Sequence, residues 1–315
     1  MAQKKIIAVV GATGAQGGGL VRAILNDPTG GFTARAITRD VQSDKAKALA
    51  KLGAEVVAAD VNDVESLKRA FKDAYGVFCV TFFWADLSPE NEISQATAMA
   101  RAAKSAGVQH AIWSTFEDTR KWVPLTDNRM PTLMGRYKVA HFDAKSEANH
   151  VFTDLGVPTT FLLTSFYWEN LIYGVGPKMG PDGKLAITFP MGDKKLPGIA
   201  SEDIGRSAYG IFKRGGEFIG KTIGVSGEQL TGAQMATALT RALGREVRYN
   251  EVSPDAFRSF GFPGAEDWGN MFQFKRDFEH IYSGARNPEV ARSLNPSLQD
   301  FGEWLEKNKS RIPLD

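Results

Sequence analysis

A glycine-rich run, GATGAQG, lies between an apolar, β-branched segment at residues 6–10 and a segment with helical spacing of apolar residues. Glycines in this context permit a tight turn, close approach of the backbone to a phosphate, and close packing of the helix on the strand. The free amides of a helix N-terminus also favour anions. The spacing is GxxGxxG rather than the GxGxxG of many dehydrogenases, and a purely structural turn is the alternative. We predict a pyrophosphate loop for a dinucleotide formed by Gly11, Ala12, Thr13, Gly14, Ala15, Gln16 and Gly17.

The second predicted strand ends in Thr38 and Arg39, and Arg39 lies 22 residues after Gly17. An acidic residue at this place would bond the ribose 2′-hydroxyl of NAD(H), whereas arginine accommodates the 2′-phosphate of NADP(H). The planar guanidinium can also stack on adenine. Asp40 follows directly, so a solvated arginine at a strand end is the alternative. We predict NADP(H) as the cofactor.

Two more strand ends carry groups that a nucleotide could contact. Asp60 and Val61 follow the third strand, where the carboxylate could accept from the adenine amino group or could simply form a turn. Thr81, Phe82 and Phe83 follow the fourth strand, at the edge where ligands of open α/β sheets collect. The two phenylalanines could equally belong to the core.

The elements that must position these groups alternate along the first half of the chain. Strands predicted at residues 6–10, 33–38, 55–59, 76–82, 111–114 and 159–163 alternate with helices at 43–52, 64–71, 89–106 and 137–155. This alternation is typical of parallel strands joined by right-handed crossovers. We therefore predict an α/β fold, with a Rossmann-type doubly wound parallel sheet at residues 1–165 and a smaller C-terminal α+β lobe at residues 166–315. We expect that the lobe does not fold alone and that it exchanges segments with the first domain.

Other local patterns concern the coverage of the site. Residues 116–136 have no clear period and are predicted to form a loop on the surface or over the site. Ser201 and Thr231 are predicted to cap helices. The aromatic segment at residues 257–278 is predicted to belong to the core of the second lobe, with a pocket lining or a partner surface as alternatives.

Composition excludes several classes of function. The 315 residues carry a formal charge of +2, which argues against a nucleic-acid footprint spread over the molecule. Cys79, the only cysteine, lies in an apolar run and is expected to be buried and inert. His110, His150 and His280 lack the spacing of metal ligands, so we predict no metal site. No apolar stretch is long enough to suggest a membrane span. We expect a cytoplasmic protein, with the nucleus as a second location.

With these motifs and the segment Ala140-His141-Phe142-Asp143-Ala144-Lys145, the chain resembles the NmrA-like family. These are atypical members of the short-chain dehydrogenase/reductase superfamily, known as NADP(H)-binding redox sensors and transcriptional co-regulators. The likeness extends to Tyr167-Trp168-Glu169-Asn170 and to Gly261-Phe262-Pro263-Gly264-Ala265.

The resemblance implies a role for each matching position. Residues 11–16 would hold the pyrophosphate and Arg39 the 2′-phosphate, while Asp60 and Val61 would lie near adenine. Residues 81–83 would lie near the inner ribose, and Lys145 would bond the nicotinamide ribose. The turn formed by Tyr167, Trp168, Glu169 and Asn170 would approach the nicotinamide.

One position departs from the active members of that superfamily. They use Tyr-x-x-x-Lys on a helix, where a spacing of four places both side chains on one face and the lysine lowers the pKa of the phenol. Here the pair is His141-x-x-x-Lys145. Imidazole exchanges protons near neutral pH but is shorter than tyrosine, so His141 and Lys145 are catalytic candidates beside a purely structural interpretation.

Two functions follow from these features. The first is a redox sensor that reads the NADPH/NADP⁺ state and signals through a protein partner of unknown identity. The alternative is an NADPH-dependent oxidoreductase that acts on a small carbonyl or enone, with Lys145 or His141 as proton donor. A homodimer is compatible with the resemblance, whereas direct binding of nucleic acid or membrane is not expected.

Overall fold

The computed structural model describes residues 3–180 and 182–314. The strands are β1 (Lys5–Val9), β2 (Phe32–Thr38), β3 (Glu55–Ala58), β4 (Ala74–Cys79), β5 (His110–Thr115), β6 (Thr159–Leu163), β7 (Phe166–Tyr167), β8 (Lys178–Met179), β9 (Leu185–Thr188), β10 (Lys195–Ile199), β11 (Thr222–Gly224), β12 (Glu228–Thr231) and β13 (Val247–Asn250). The helices are α1 (Ala15–Leu25), α2 (Asp44–Lys51), α3 (Val64–Phe71), α4 (Pro89–Ser105), α5 (Ala140–Glu147), α6 (Asn149–Asp154), α7 (Asn170–Tyr173), α8 (Ser201–Lys213), α9 (Gly232–Leu243), α10 (Pro254–Arg258), α11 (Ala265–Asp277), α12 (Glu279–Tyr282), α13 (Pro288–Leu294) and α14 (Phe301–Asn308).

Seven strands form one parallel sheet in the order β11-β6-β5-β4-β1-β2-β3. The strand order reverses between β1 and β4, and the crevice outside the carboxyl ends of such strands is the usual ligand site of an open α/β sheet. Gly11 follows β1 and Thr81 follows β4. The Rossmann-type doubly wound sheet is therefore confirmed, and its switch point lies at the predicted nucleotide site.

The later part of the chain adds two three-stranded sheets, β12-β10-β7 and β13-β9-β8. It also returns to the first sheet, because β11 pairs with β6 and α8 packs along α1. The smaller α+β lobe is thus present, and its segments interleave with the Rossmann sheet. The division at residues 165 and 166 remains a prediction.

Helix α1 contains three successive glycines, and the close contact between α1 and α8 explains the last of them, Gly19. A Cβ on Gly19 would lie 2.6 Å from the carbonyl oxygen of Glu202, and one on Gly205 would lie 2.1 Å from the amide of Leu20. Neither distance is possible for a real side chain, so the two backbones meet through glycine. Helix α1 accordingly begins at Ala15 and includes Gly17, whereas the sequence pattern placed the glycines in a break before the helix.

The predicted helix at 137–155 was wrong in its bounds. It begins at Ala140 because the Asp143 carboxylate accepts from the amides of Lys138 (2.8 Å) and Val139 (3.2 Å), which fixes a turn before the helix. A break at Ala148 then separates α5 from α6. Tyr137 therefore precedes the helix.

The two predicted caps have different outcomes. Thr231 caps α9 and forms a capping box with Gln234, as predicted. Ser201 is the first residue of α8, and its neighbour Ala200 is the cap residue, so that prediction was wrong. Cys79 is fully buried, as predicted, and desolvation raises the pKa of its thiol, which disfavours the reactive thiolate. No helix in residues 3–180 and 182–314 combines the length and apolar character that a membrane crossing requires.

Candidate functional site

The glycine-rich run forms the turn between β1 and α1. Gly11 has a φ of +65°, a conformation that side chains rarely adopt. A Cβ on Gly17 would lie 2.5 Å from the carbonyl oxygen of Gly11, so glycine is required where helix meets strand. The cap residue Gly14 provides no side-chain acceptor for the first turn of α1. The first amides of this eleven-residue helix are therefore available to an anion at the sheet edge.

Gln16 joins this loop to the second lobe. Its Nε2 donates to the hydroxyl of Tyr167 at 2.5 Å, and its Oε1 is buried with no hydrogen-bond partner among the described residues. Burial raises the pKa of the Tyr167 phenol to about 12, so the phenol is neutral at physiological pH. An unsatisfied acceptor beside free amides fits a bound group that supplies both acceptors and donors, as a dinucleotide does.

At the adenosine end, Arg39 is exposed after β2. The carboxylate of Asp40 accepts from the amide of Gln42 at 2.8 Å and so belongs to its own turn. Asp60 behaves in the same way, since its Oδ1 accepts from the amide (2.8 Å) and the side chain (3.0 Å) of Asn62. The geometry thus gives Asp60 a turn role, and its contact with adenine remains a prediction.

Near the carboxyl end of β4, Lys145 does not extend freely toward a ribose. Its Nζ donates to the hydroxyl of Thr81 at 2.5 Å and forms an ion pair with Glu92, to which Thr81 also donates. All three side chains are buried. Phe82, by contrast, is 68% exposed at the sheet edge, whereas Phe83 is buried. Lys145 therefore carries a charge that Glu92 already compensates.

His141 is held by a residue of the second lobe. Its Nδ1 is hydrogen-bonded to the carboxylate of Asp267, which also accepts from the backbone amides of Ala140 (2.6 Å) and His141 (3.4 Å). The residue is only 4% exposed. Four aromatic rings lie with centroids 4.7–5.8 Å from the imidazole, those of Phe83, Trp84, Phe116 and Phe142. The reacting end of the predicted site is thus closed by protein.

The loop at residues 116–136 is anchored over this end. Asp143 accepts from the amide and the hydroxyl of Thr119, both at 2.7 Å, and burial raises the pKa of this carboxyl to about 6. Asn270 of α11 donates to the carbonyl of Lys138 at 2.5 Å, and Gln273 donates to that of Arg129 at 2.8 Å. The predicted covering loop is therefore an ordered part of the site wall.

A groove of about 760 Å³ opens beside the glycine loop. It brings together part of the predicted set, since its lining includes Ala12, Thr13, Gly14, Ala15, Tyr167, Glu169 and Asn170. Arg39, Asp60, Thr81 and Lys145 are not part of that lining. Trp168 is buried and packs against Phe301 and Trp304, so its side chain is a core group.

Sequence reasoning missed Glu92 and Asp267, the carboxylates that hold Lys145 and His141. Asp267 lies 126 positions from His141, and no local pattern connects them. Asp267 lies inside the aromatic segment at 257–278, which was predicted only to belong to the core of the second lobe. That prediction is confirmed for Phe257, Phe272 and Phe274, whereas Phe260 is half exposed. No group of three potential metal-ligating side chains occurs within the part of the chain that the structure describes.

Comparison with known proteins extends these observations. The sequence profile of the NmrA-like family matches residues 3–305. The chain is 32% identical over 289 residues to the NmrA-like family domain-containing oxidoreductase FrzB of Cladobotryum sp. The match covers 85% of this chain and 83% of that protein. It is 29% identical over 306 residues to the NmrA-like family domain-containing oxidoreductase hkm9 of Aspergillus hancockii. That match covers 91% of this chain and 88% of that protein.

Solved structures show the same relationship. NmrA, a negative transcriptional regulator, solved in complex with NADP, superposes with a TM-score of 0.78 and 27% identity over 97% of this chain and 95% of that one. NmrA has also been solved with NAD. Triphenylmethane reductase of Citrobacter sp., with a TM-score of 0.72 and 20% identity over 96% and 99% of the two chains, shares the fold. Because the family profile covers nearly the whole chain and the sheet and glycine loop agree with it, this protein belongs to the NmrA-like family.

Proposed function

We propose that this protein binds NADP(H) and acts as a regulator that reads the NADPH/NADP⁺ state and signals to a protein partner. One observation carries the proposal: a loop suited to a dinucleotide lies beside a reacting end that side chains already fill. Lys145 is neutralised by Glu92, and four rings enclose His141. A general acid must reach its substrate. The closed reacting end therefore favours binding of the cofactor without turnover of a substrate.

The contacts with the cofactor follow the matching positions of the family. The amides at residues 12–16 hold the pyrophosphate, Arg39 pairs with the 2′-phosphate, and Val61 borders adenine. Lys145 bonds the nicotinamide ribose by exchanging its contact with Thr81. The exposed position of Arg39 and the NmrA complexes with NADP and NAD support this assignment. We place the protein in the cytoplasm and the nucleus, in line with the regulatory role stated for NmrA.

The bond between Gln16 and Tyr167 provides a route from cofactor to surface. Two residues after Tyr167, the carboxylate of Glu169 accepts from the amide of Ser201 at 3.0 Å and from the indole of Trp304 at 3.1 Å. A cofactor group that engages Gln16 therefore acts on a turn attached to α8 and α14. NADPH and NADP⁺ can shift a conformational equilibrium of this turn only if each binds the two conformations with different affinity.

The test is a calorimetric titration of the full chain with NADPH, NADP⁺ and NADH, with absorbance of the reduced nicotinamide followed in parallel. We expect tight binding of both phosphorylated forms, weaker binding of NADH, and no consumption of NADPH by a panel of small enones and quinones. Equal affinity for NADH and NADPH would contradict the cofactor assignment, and rapid NADPH oxidation would contradict a role restricted to regulation.

The pair formed by His141 and Asp267 favours a second candidate, an oxidoreductase acting on a small carbonyl or enone. A carboxylate on Nδ1 fixes the tautomer of an imidazole and leaves Nε2 to exchange a proton with a substrate. If the protein turns over, His141→Ala should abolish the rate while NADPH still binds. An unchanged rate in this variant would remove the second candidate.

A further inference from the structure

Glu92 is a buried carboxylate in the first turn of α4. Only 2% of the residue is exposed, whereas Glu90, in the same turn, is exposed to solvent. Acidic residues at this place interact favourably with the positive end of the helix dipole from the surface, and Glu90 meets that condition. The carboxylate of Glu92 instead forms an ion pair with Lys145 and accepts from the hydroxyl of Thr81. A buried charge destabilises a protein unless another charge compensates it, so each member of this pair depends on the other.

The ammonium of Lys145 is held among β4, β5 and α4. Its Nζ donates to the hydroxyl of Thr81, after β4, at 2.5 Å and lies 5.1 Å from the ring centroid of Trp113 in β5. The backbone carbonyl of Lys145 accepts from the hydroxyl of Thr115, also in β5, at 3.1 Å. Glu92 approaches the same ammonium from α4. Lys145 and Glu92 therefore form a compact pair of opposite charges at the carboxyl end of β4.

The two redox forms of the cofactor differ in charge at one end only. The nicotinamide ring of NADP⁺ carries a positive charge, the ring of NADPH carries none, and the remainder of the molecule is the same. An unpaired ammonium near the ring would repel NADP⁺ and leave NADPH unaffected. The carboxylate of Glu92 compensates the ammonium of Lys145 and so removes this repulsion. A carboxylate at this place therefore raises the affinity for the oxidised form relative to the reduced form.

We propose that Glu92 sets the preference of the site between NADP⁺ and NADPH, because its negative charge selectively increases the affinity for the oxidised form. The inference rests on the proposed function, in which Lys145 bonds the nicotinamide ribose. It extends that function by naming the residue through which the redox state of the cofactor changes the affinity. Glu92 acts through Lys145 and not by contact with the cofactor, so it is a positioning residue.

Glu92 can be replaced without loss of a backbone contact. Among the described residues its carboxylate contacts only the side chains of Thr81 and Lys145. Asp267, a second buried carboxylate of the reacting end, also accepts from the amide of Ala140 at 2.6 Å and so fixes the start of α5. Glu92→Gln is therefore the informative variant, since it removes one charge and keeps both the size of the side chain and an acceptor oxygen.

Calorimetric titration of the full chain with NADP⁺ and NADPH, at about pH 6.5 where amines stay protonated, gives the ratio of the two affinities. A loss of affinity common to both forms cancels in this ratio, so a merely structural defect does not change it. We expect Glu92→Gln to shift the ratio about tenfold toward NADPH, which corresponds to about 1.4 kcal/mol. Glu92→Asp should keep most of the wild-type ratio, because it keeps the charge.

The matched control is Glu90→Gln, which removes the same charge from an exposed position two residues earlier on α4 and should leave the ratio unchanged. Circular dichroism shows whether each variant is folded. An unchanged ratio in Glu92→Gln would overturn the inference, as would a shift of equal size in Glu90→Gln or in Glu92→Asp. Absence of binding of both forms to the wild-type protein would instead contradict the proposed cofactor site, and with it this inference, so the two failures are distinguishable.

Discussion

Replacing Lys275 by methionine should stabilise the protein, and by an amount that depends on pH. Methionine has a similar length and fits among aromatic rings, and it removes a buried amine whose protonated form is disfavoured by desolvation and by the charge of Arg286, with only partial compensation from Glu117. Replacement of a buried ion pair by well-packed apolar residues is often neutral or stabilising by about 1–4 kcal/mol, and a buried amine without an ion-pair partner has no Coulombic attraction to lose. We expect a gain of this size near neutral pH.

The sign of the pH dependence follows from the lowered pKa of Lys275. In the unfolded chain this lysine keeps its proton up to its ordinary pKa of 10.5, whereas in the folded protein it loses the proton at a much lower pH. Between these two values the unfolded state binds one more proton. Wild-type stability should therefore rise with pH by about 1.4 kcal/mol per unit from this group, a contribution that methionine lacks. The advantage of the variant should shrink at the same rate.

Urea unfolding of both proteins at several pH values between neutrality and about 9.5 measures this difference. Lys47→Met is the matched control, because its exposed side chain should show no such slope. A constant difference between Lys275→Met and the wild-type protein across this range, or a loss of stability in the variant, would refute the reasoning.

Three further predictions concern the loop, the helix contact and the site wall. Arg39→Ala should weaken NADPH binding by about 10- to 100-fold and leave NADH binding unchanged, because one charge-assisted contact to the 2′-phosphate is lost. Equal losses of affinity for NADPH and NADH, measured by calorimetry, would contradict the assignment of Arg39 to the 2′-phosphate. Gly19→Ala should destabilise the protein by about 1–3 kcal/mol, since its Cβ would meet the backbone of α8. Its comparison variant, Gly18→Ala, meets the side chain of Arg22 at 3.2 Å and the carbonyl oxygen of Ala12 at 3.3 Å, longer contacts than that of Gly19, and should cost clearly less than Gly19→Ala in thermal unfolding. Asp143→Ala should cost about 3 kcal/mol or more in urea unfolding, because three backbone amides and a hydroxyl lose a buried acceptor; a loss below about 1 kcal/mol would show that water replaces the carboxylate.

The parallel sheet could be predicted because short, mostly apolar strand segments alternate along the chain with segments of helical spacing. The bounds at α5 could not, since the carboxylate of Asp143 acts as a cap from inside the helix and delays its start to Ala140. The glycine-rich run indicated a turn before the helix, whereas Gly17 to Gly19 lie within α1, where Gly17 packs on the backbone of Gly11 and Gly19 packs on α8.

Some residues of the candidate site could likewise be predicted from the sequence, and others could not. The glycine loop and Arg39 are local motifs that follow a strand, so sequence was sufficient to propose them. Asp267 and Glu92 act through contacts between distant parts of the chain, and no spacing rule relates either carboxylate to the base it holds. The closure of the reacting end by Trp84 and its neighbours is a property of packing, which the sequence does not encode in any single segment.

The most direct test of the regulatory function is amide hydrogen exchange of residues 166–173 in the full chain, saturated in turn with NADPH and NADP⁺. This segment contains Tyr167, which Gln16 connects to the cofactor loop. We predict that the two forms protect the segment to different extents and that Tyr167→Phe removes much of the difference while both forms still bind. Identical protection by saturating NADPH and NADP⁺ would contradict the account.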